Sequence, residues 1–264
     1  MIIVGEKINS TRKKVKEAVG SRDVAFLQKL AVDQAAAGAD YLDVNTGAFP
    51  EEEVELMEWL VQVVQEVVDI PLSLDSANPA ALQTGLKVHK NGTPLINSIT
   101  AEKGKFEKVV SLLKEYETPV LALALDDSGI TRTVDERFVV ASKLIEALCQ
   151  EGVTQDKIYL DPLIQPVSVQ NDFGIIALEV IRRIKQQYPD VHAICGLSNI
   201  SFGLPERLKV NRCFLAMAMS AGLDSAILDP MDDELMNTIK TSEALLGRDR
   251  FCKNYIKAFR QKTK

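Results

Sequence analysis

Short apolar runs that end in a carboxylate or an amide recur along this chain at intervals of roughly thirty residues. Met1 to Gly5 leads into Glu6-Lys7-Ile8-Asn9, Tyr41 to Val44 carries Asp43 and stops at Asn45, and Pro71 to Leu74 is closed by Asp75. Pro94 to Ile96 ends at Asn97, Val120 to Leu125 runs into Asp126-Asp127, and Lys157 to Leu160 meets Asp161-Pro162. Ala193 to Leu197 is followed by Ser198-Asn199, and Ser225 to Leu228 by Asp229-Pro230. An apolar run of this length between turn residues is the mark of a strand buried on both faces. The segments between them have helical spacing, as in Asp23 to Ala37, where Phe26, Leu27, Leu30, Ala31 and Ala35 share one side. Asn78-Pro79 reads as a cap with proline in the first helical position, and Thr133 with Glu136 as a capping box ahead of a helix from Asp135 to Gln150. Further helices are expected over Glu51 to Val68, Lys105 to Tyr116, Ile175 to Tyr188, Asn211 to Ala221 and Asp232 to Leu246.

Eight strand and helix units fill the 264 residues, so the spacing predicts an α/β fold of one domain over residues 1–264, a (β/α)8 TIM barrel. A doubly wound sheet would ask for a glycine-rich phosphate loop after the first strand, and neither GxGxxG nor GxxxxGK is present. In a parallel barrel the polar strand ends share one rim. Glu6, Asn9, Asp43, Asn45, Asp75, Asn97, Asp161, Ser198 and Asn199 are therefore expected around one mouth.

Composition narrows what that mouth can serve. A net charge of −6 gives no basic surface for nucleic acid or anionic lipid. No apolar run is long enough to span a bilayer, and Glu6 and Lys7 follow Met1 to Val4 too soon for a signal peptide, which points to a cytoplasmic protein. Cys149, Cys195, Cys213 and Cys252 form no CxxC pair and read as reduced core thiols. The ring is rich in Asp and Asn and poor in cations. A metal is the competing reading of clustered acids, but His89 and His192, the ligands zinc would prefer, fall away from the strand ends, which leaves magnesium as the one metal alternative and a site without metal as the expectation. A carboxylate can accept parallel hydrogen bonds from an amino group and an adjacent ring N–H, so the ring suits a neutral heterocycle with that donor pair, such as the aminopyrimidinone half of a pterin. Singly, Asp75 and Asn97 also read as helix or turn caps, Asp161 and Asp229 as turn formers before proline, and Arg207 and Arg212 as solvated helix charges.

Taken together, Val4-Gly5-Glu6-Lys7-Ile8-Asn9, Leu42-Asp43-Val44-Asn45, Leu74-Asp75-Ser76, Ile96-Asn97-Ser98, Leu160-Asp161-Pro162-Leu163, Gly196-Leu197-Ser198-Asn199-Ile200-Ser201 and Phe214-Leu215-Ala216-Met217-Ala218 carry a family likeness. Over nearly its whole length the chain resembles the pterin-binding barrel methyltransferases that move methyl between methyltetrahydrofolate and a corrinoid protein, including the folate domain of cobalamin-dependent methionine synthase. The resemblance implies that Asp75, Asn97 and Asp161 hold the pterin, with Gly196 and Ser198 at its edge, and that Asn199 both contacts it and is the catalytic residue. It further implies 5-methyltetrahydrofolate or tetrahydrofolate as substrate, a homodimer, and cobalamin carried by a separate corrinoid protein, since no DxHxxG signature is present. The direction of transfer stays open; loading tetrahydrofolate in a demethylation pathway is one possibility. Two alternatives remain at this level: a dihydropteroate synthase, although the Ser-Thr-Arg segment and the terminal Arg-Val-His of that family are missing here, and a non-catalytic pterin-binding module.

Overall fold

The computed structural model describes residues 1–102 and 104–260. Eight parallel strands alternate with helices. They are β1 (Ile2–Asn9), β2 (Tyr41–Asn45), β3 (Leu72–Asp75), β4 (Leu95–Ile99), β5 (Val120–Leu123), β6 (Ile158–Asp161), β7 (His192–Ala193) and β8 (Ser225–Leu228). The strands pair in the order β7-β6-β5-β4-β3-β2-β1-β8. The Ile227 N–H donates to the Cys195 carbonyl at 2.9 Å and the Asp224 N–H to Ala193 at 3.2 Å, which closes the sheet between β7 and β8. The fold is the expected TIM barrel.

Ten α-helices are described: α1 (Lys13–Gly20), α2 (Val24–Ala36), α3 (Glu53–Gln65), α4 (Pro79–Val88), α5 (Phe106–Tyr116), α6 (Val134–Gln150), α7 (Phe173–Gln187), α8 (Arg207–Ala221), α9 (Asp233–Leu245) and α10 (Lys253–Arg260). Their starts follow local chemistry. The Asn78 side chain accepts from Ala80 N–H ahead of Pro79, and Thr133 and Glu136 form the reciprocal capping box. Strand alternation divides the apolar side chains: Val120 and Ala122 join the layer under the helices, whereas Leu121 packs with Val4, Leu95, Tyr159 and Ile194 in the barrel interior.

Three readings from sequence are corrected. The seventh strand ends at Ala193, and Leu197–Ser201 forms a 3-10 turn, so the apolar run was buried loop and turn as much as strand. Helix α1 escaped notice because only Val15, Ala18 and Val19 of its eight residues are buried. Of the four cysteines only Cys195 is in the core; Cys149 is half-buried, and Cys213 and Cys252 are exposed.

Candidate functional site

The first arc of the rim is built by strand register. Asn45 and Asp75 end β2 and β3, and Asn97 of β4 is the next in-register neighbour. Asn45 Nδ2 donates to Asp75 Oδ2 at 3.0 Å, and Asn9 Nδ2 approaches the same oxygen at 3.5 Å. Asn45 is itself oriented, its Oδ1 accepting from Ser10 Oγ at 2.9 Å and from the Gly47 N–H at 3.1 Å. Two residues earlier on β2, buried Asp43 accepts from Ser73 Oγ at 2.8 Å and from Asn97 Nδ2 at 3.0 Å through one oxygen. Because Asp43 takes the amide nitrogen of Asn97, the amide's carbonyl oxygen is turned the other way. Neither Asp75 nor Asn97 caps a helix; that role at α4 belongs to Asn78.

Position on β1 depends on an irregularity. The register with β2 shifts between Gly5 and Ile8, and the Lys7 N–H leaves the ladder to donate to Gln34 Oε1 at 3.0 Å. A Cβ on Gly5 would lie 2.6 Å from that same oxygen, so a side chain there would displace the Gln34 amide that accepts from the bulge. It aims Glu6 at Arg12, 2.6 Å away, and Lys7 at Asp229, 2.5 Å away. Asp229 accepts from the Met231 N–H at 3.1 Å as a turn former does, and it also takes the Lys7 ion pair at the rim.

The opposite arc comes from β6, β7 and the turn after β7. Buried Asp161 accepts from the Leu163 N–H at 2.7 Å and the Gly196 N–H at 3.4 Å. A Cβ on Gly196 would lie 3.1 Å from Asn199 Nδ2, so the catalytic candidate folds back over the glycine. Asn199 is exposed, and Ser198 Oγ turns toward Glu6 Oε2 at 3.4 Å. Arg207 is exposed, as a solvated helix charge would be, but it also donates to the Ser198 carbonyl at 2.6 Å and to Ser201 Oγ at 3.1 Å, strapping the turn. Arg212 likewise pairs with Asp232 at 2.7 Å. Sequence patterns separate such a strap from a surface charge only when the turn it binds is known. Between β1, β8 and α8 lies a cavity of about 270 Å³ bordered by Glu6, Arg12, Ser198, Arg207, Asn211 and Asp229.

Electrostatically the mouth is a set of buried acids with few counter-charges. Burial lifts Asp75 to about 6 against the Asn45 hydrogen bond, helped by the nearby Glu53 carboxylate. Burial also lifts Asp161 to about 6 against the backbone N–H groups of Leu163, Gly196 and Ile164 and the charge of Arg137. Asp43 rises well above the carboxylate range through burial and repulsion from Asp75, opposed by Ser73 and Asn97. Glu6 is raised by burial despite Arg12. Such acceptors favour a ligand that brings N–H groups and no negative charge. Among the described residues no group of three or more His, Cys, Asp or Glu side chains could hold a metal ion, and no helix is long and apolar enough to cross a membrane.

Comparison with known proteins shows the family. The model of the pterin binding enzyme family matches residues 5–229. The chain is 38% identical to the methylcorrinoid:tetrahydrofolate methyltransferase of Eubacterium limosum, over 99% of this chain and 97% of that protein. It is 32% identical to methionine synthase of Mycobacterium tuberculosis over 94% of this chain but only 22% of that longer protein. In three dimensions it superposes on dihydropteroate synthase from Xanthomonas albilineans with a TM-score of 0.71 at 17% identity, covering 93% of each chain, a likeness of fold alone. With a barrel, a carboxylate-lined mouth and these relatives in hand, the chain belongs to the pterin-binding enzyme family and, within it, to the methyltransferases.

Proposed function

We propose that the protein transfers a methyl group from a methylated corrinoid protein to nitrogen-5 of tetrahydrofolate, the pterin lying across the barrel mouth. The observation that supports this reading is that Asp75 and Asp161 end β3 and β6, Asn97 pairs in register with Asp75, and Asn199 lies on the turn that follows β7. The direction is taken from the Eubacterium limosum relative, which matches from end to end.

Asp75 and Asp161 accept from the amino and ring N–H donors of the pterin, and the Asn97 carbonyl oxygen, turned away from Asp43, accepts a further one. Gly196 leaves room at the ring edge, and Ser198 borders it on the Glu6 side. The donor-poor, cation-poor chemistry of the mouth fits this neutral ring, whereas a pterin diphosphate would need cations that the arc lacks. Cobalamin on the partner supplies the cobalt that gives up the methyl in this direction and accepts it in the reverse one. In methyltetrahydrofolate Asn199, exposed at the rim, donates from Nδ2 to nitrogen-5 and stabilises it as a leaving group; in tetrahydrofolate, whose lone pair must stay free to attack the methyl, the same amide accepts from the N5–H through Oδ1, a bond that strengthens as the nitrogen becomes positive. An amide is no proton donor of useful acidity, so any proton moves through solvent.

A second copy of the chain is the other expected partner. Supporting it is an apolar groove of about 430 Å³ between α7 and α8, lined by Ile175, Leu178, Val210, Phe214 and Met217, with Ile175 and Met217 largely exposed. Sedimentation of the wild type and of Ile175→Glu tests this; a wild-type monomer removes the dimer. For the reaction, the protein is mixed with methylated corrinoid protein and tetrahydrofolate and the cobalt absorbance followed. Demethylation of cobalt that depends on tetrahydrofolate is expected, and pterin binding without any transfer would leave only a binding module.

A further inference from the structure

Arg137 on α6 has no exposed surface, and among the described residues none of its hydrogen bonds goes to an Asp, Asn or Ser side chain of the rim. Among the described residues no carboxylate is within ion-pair distance of it. Its donors go instead to two loops at the mouth: Nη2 to the Thr131 carbonyl at 2.6 Å, Nε to Thr131 Oγ1 at 3.3 Å, and Nη1 to the Leu163 carbonyl at 3.2 Å. The guanidinium also sits 5.8 Å from the centre of the Phe173 ring. A charge buried without an ion pair is retained against a large desolvation penalty, which asks for a reason.

Leu163 supplies it. With φ at 60° this branched residue holds a left-handed conformation that ordinary side chains avoid. The turn is held at both ends. The Leu163 N–H donates to Asp161 Oδ1 at 2.7 Å, and the Leu163 carbonyl accepts from Arg137. Left-handed geometry at one residue brings successive N–H groups round to one side, and Ile164 adds its own to the same carboxylate. We propose that Arg137 is a positioning residue for the pterin pocket: from outside the barrel it pins the Leu163 turn whose N–H groups fix the Asp161 carboxylate, and it supplies the positive charge that buried carboxylate otherwise lacks.

The role rests on the reading that Asp161 holds the pterin, but the pin itself is testable without ligand. The charged or titratable groups facing Asp161 are Arg137 from α6 and the Cys195 thiol beyond β7; the Leu163, Ile164 and Gly196 N–H groups complete its surroundings. Carboxyl-carbon NMR of the full chain labelled at aspartate, with the Asp161 signal identified by its loss in Asp161→Asn, reads the titration directly. In Arg137→Met the Asp161 midpoint is expected to move above its value of about 6 by on the order of one pH unit. Arg137→Gln, polar and uncharged, carries the same measurement if the methionine variant does not fold, and Arg137→Lys should restore part of the shift. An unmoved midpoint in a folded uncharged variant overturns the pin. Titration with 6-methylpterin at pH 7 then separates the two readings. A moved midpoint with weakened binding supports both. A moved midpoint with unchanged binding keeps the pin of Asp161 and removes Asp161 from the pterin site.

Discussion

The two arcs of the mouth are built to different rules. Across β2, β3 and β4 every functional side chain is tied to another: Asp43 holds Ser73 and Asn97, Asp75 receives Asn45, and Asn45 is anchored by Ser10 and Gly47. Across from it, beyond β7, Asn199 stands exposed on a short 3-10 turn, kept in place by the space over Gly196 and by the Arg207 strap beneath. A rigid arc suits recognition, because acceptors fixed before binding lose little freedom when the ligand arrives. An open arc suits chemistry that a second protein must reach. The division of labour implies that rate and affinity can be damaged separately.

Asn199→Ala is the largest test of that division. Methyl transfer at saturating pterin should fall by about a hundred- to a thousandfold, the range for loss of one hydrogen bond that strengthens with developing charge. Pterin affinity should stay within a few-fold. Stopped-flow cobalt spectra with equilibrium titration give both numbers, and equal losses in the two would dissolve the distinction between the arcs. Asp75→Ala attacks the other arc. It leaves Asn45 Nδ2 without its carboxylate partner and removes an acceptor from the ring, so affinity should weaken by about 1–3 kcal/mol. Isothermal titration measures it, and a variant that binds normally but transfers slowly would place Asp75 with Asn199 instead.

The rigid arc was also the legible one. Asn45, Asp75 and Asn97 each follow an apolar run of three or four residues, and with parallel strands of known order their register follows. The second arc was readable only in part. Ser198 and Asn199 stand out as polar residues after an apolar run that contains Gly196, but the run itself straddles a two-residue strand and a 3-10 turn, since buried loop and buried strand share the same hydrophobicity. Long-range polar contacts left no periodic trace at all. Arg207 and Arg137 are ordinary helical arginines in sequence, and only tertiary placement shows one strapping the Asn199 turn and the other buried behind Asp161. The bulge in β1 was hidden likewise, its cause being Gln34 on a helix almost thirty residues on, |i−j| = 27 from Lys7.

Gly196→Ala sharpens the comparison from the side of the open arc. The new methyl would come 3.1 Å from Asn199 Nδ2, so the amide must give by a few tenths of an ångström. Misplacement on that scale should slow transfer by about tenfold, while Asp161, which is bound by the Gly196 backbone and not by a side chain, keeps its contact. Single-turnover rates with unchanged pterin affinity are the expected pair of results. Slow transfer together with weak binding would mean that the glycine is needed for the ring itself.

The smallest effect concerns what the rigid arc does to the fold. Burial raises Asp75 to about 6, above the ordinary carboxylate value, so ionising it opposes folding. The sign follows from linkage. A carboxyl whose folded pKa is raised contributes its full stability below the unfolded pKa and loses it as pH rises through the folded one, here across the interval from about 4 to about 6. Asp75→Asn removes the titration while keeping the shape, and its carbonyl oxygen can still accept from Asn45. At pH 7 the ligand-free variant should therefore be more stable than the wild type by about 1 kcal/mol, a rise of about 2–4 °C in Tm. Part of the linkage gain is offset by the new amide nitrogen facing the Asn9 amide. The advantage should shrink as pH falls through 6 and be gone by about 4, because the wild-type carboxyl is then neutral as well. His89, which burial lowers to about 4, changes stability over the same range in the opposite sense, but it does so equally in both proteins and cancels in the difference. Calorimetry of the pair at several pH values reads that difference, and an asparagine variant less stable than wild type at pH 7 would show the carboxylate to be part of what holds the arc together instead of a charge the arc is strained to keep.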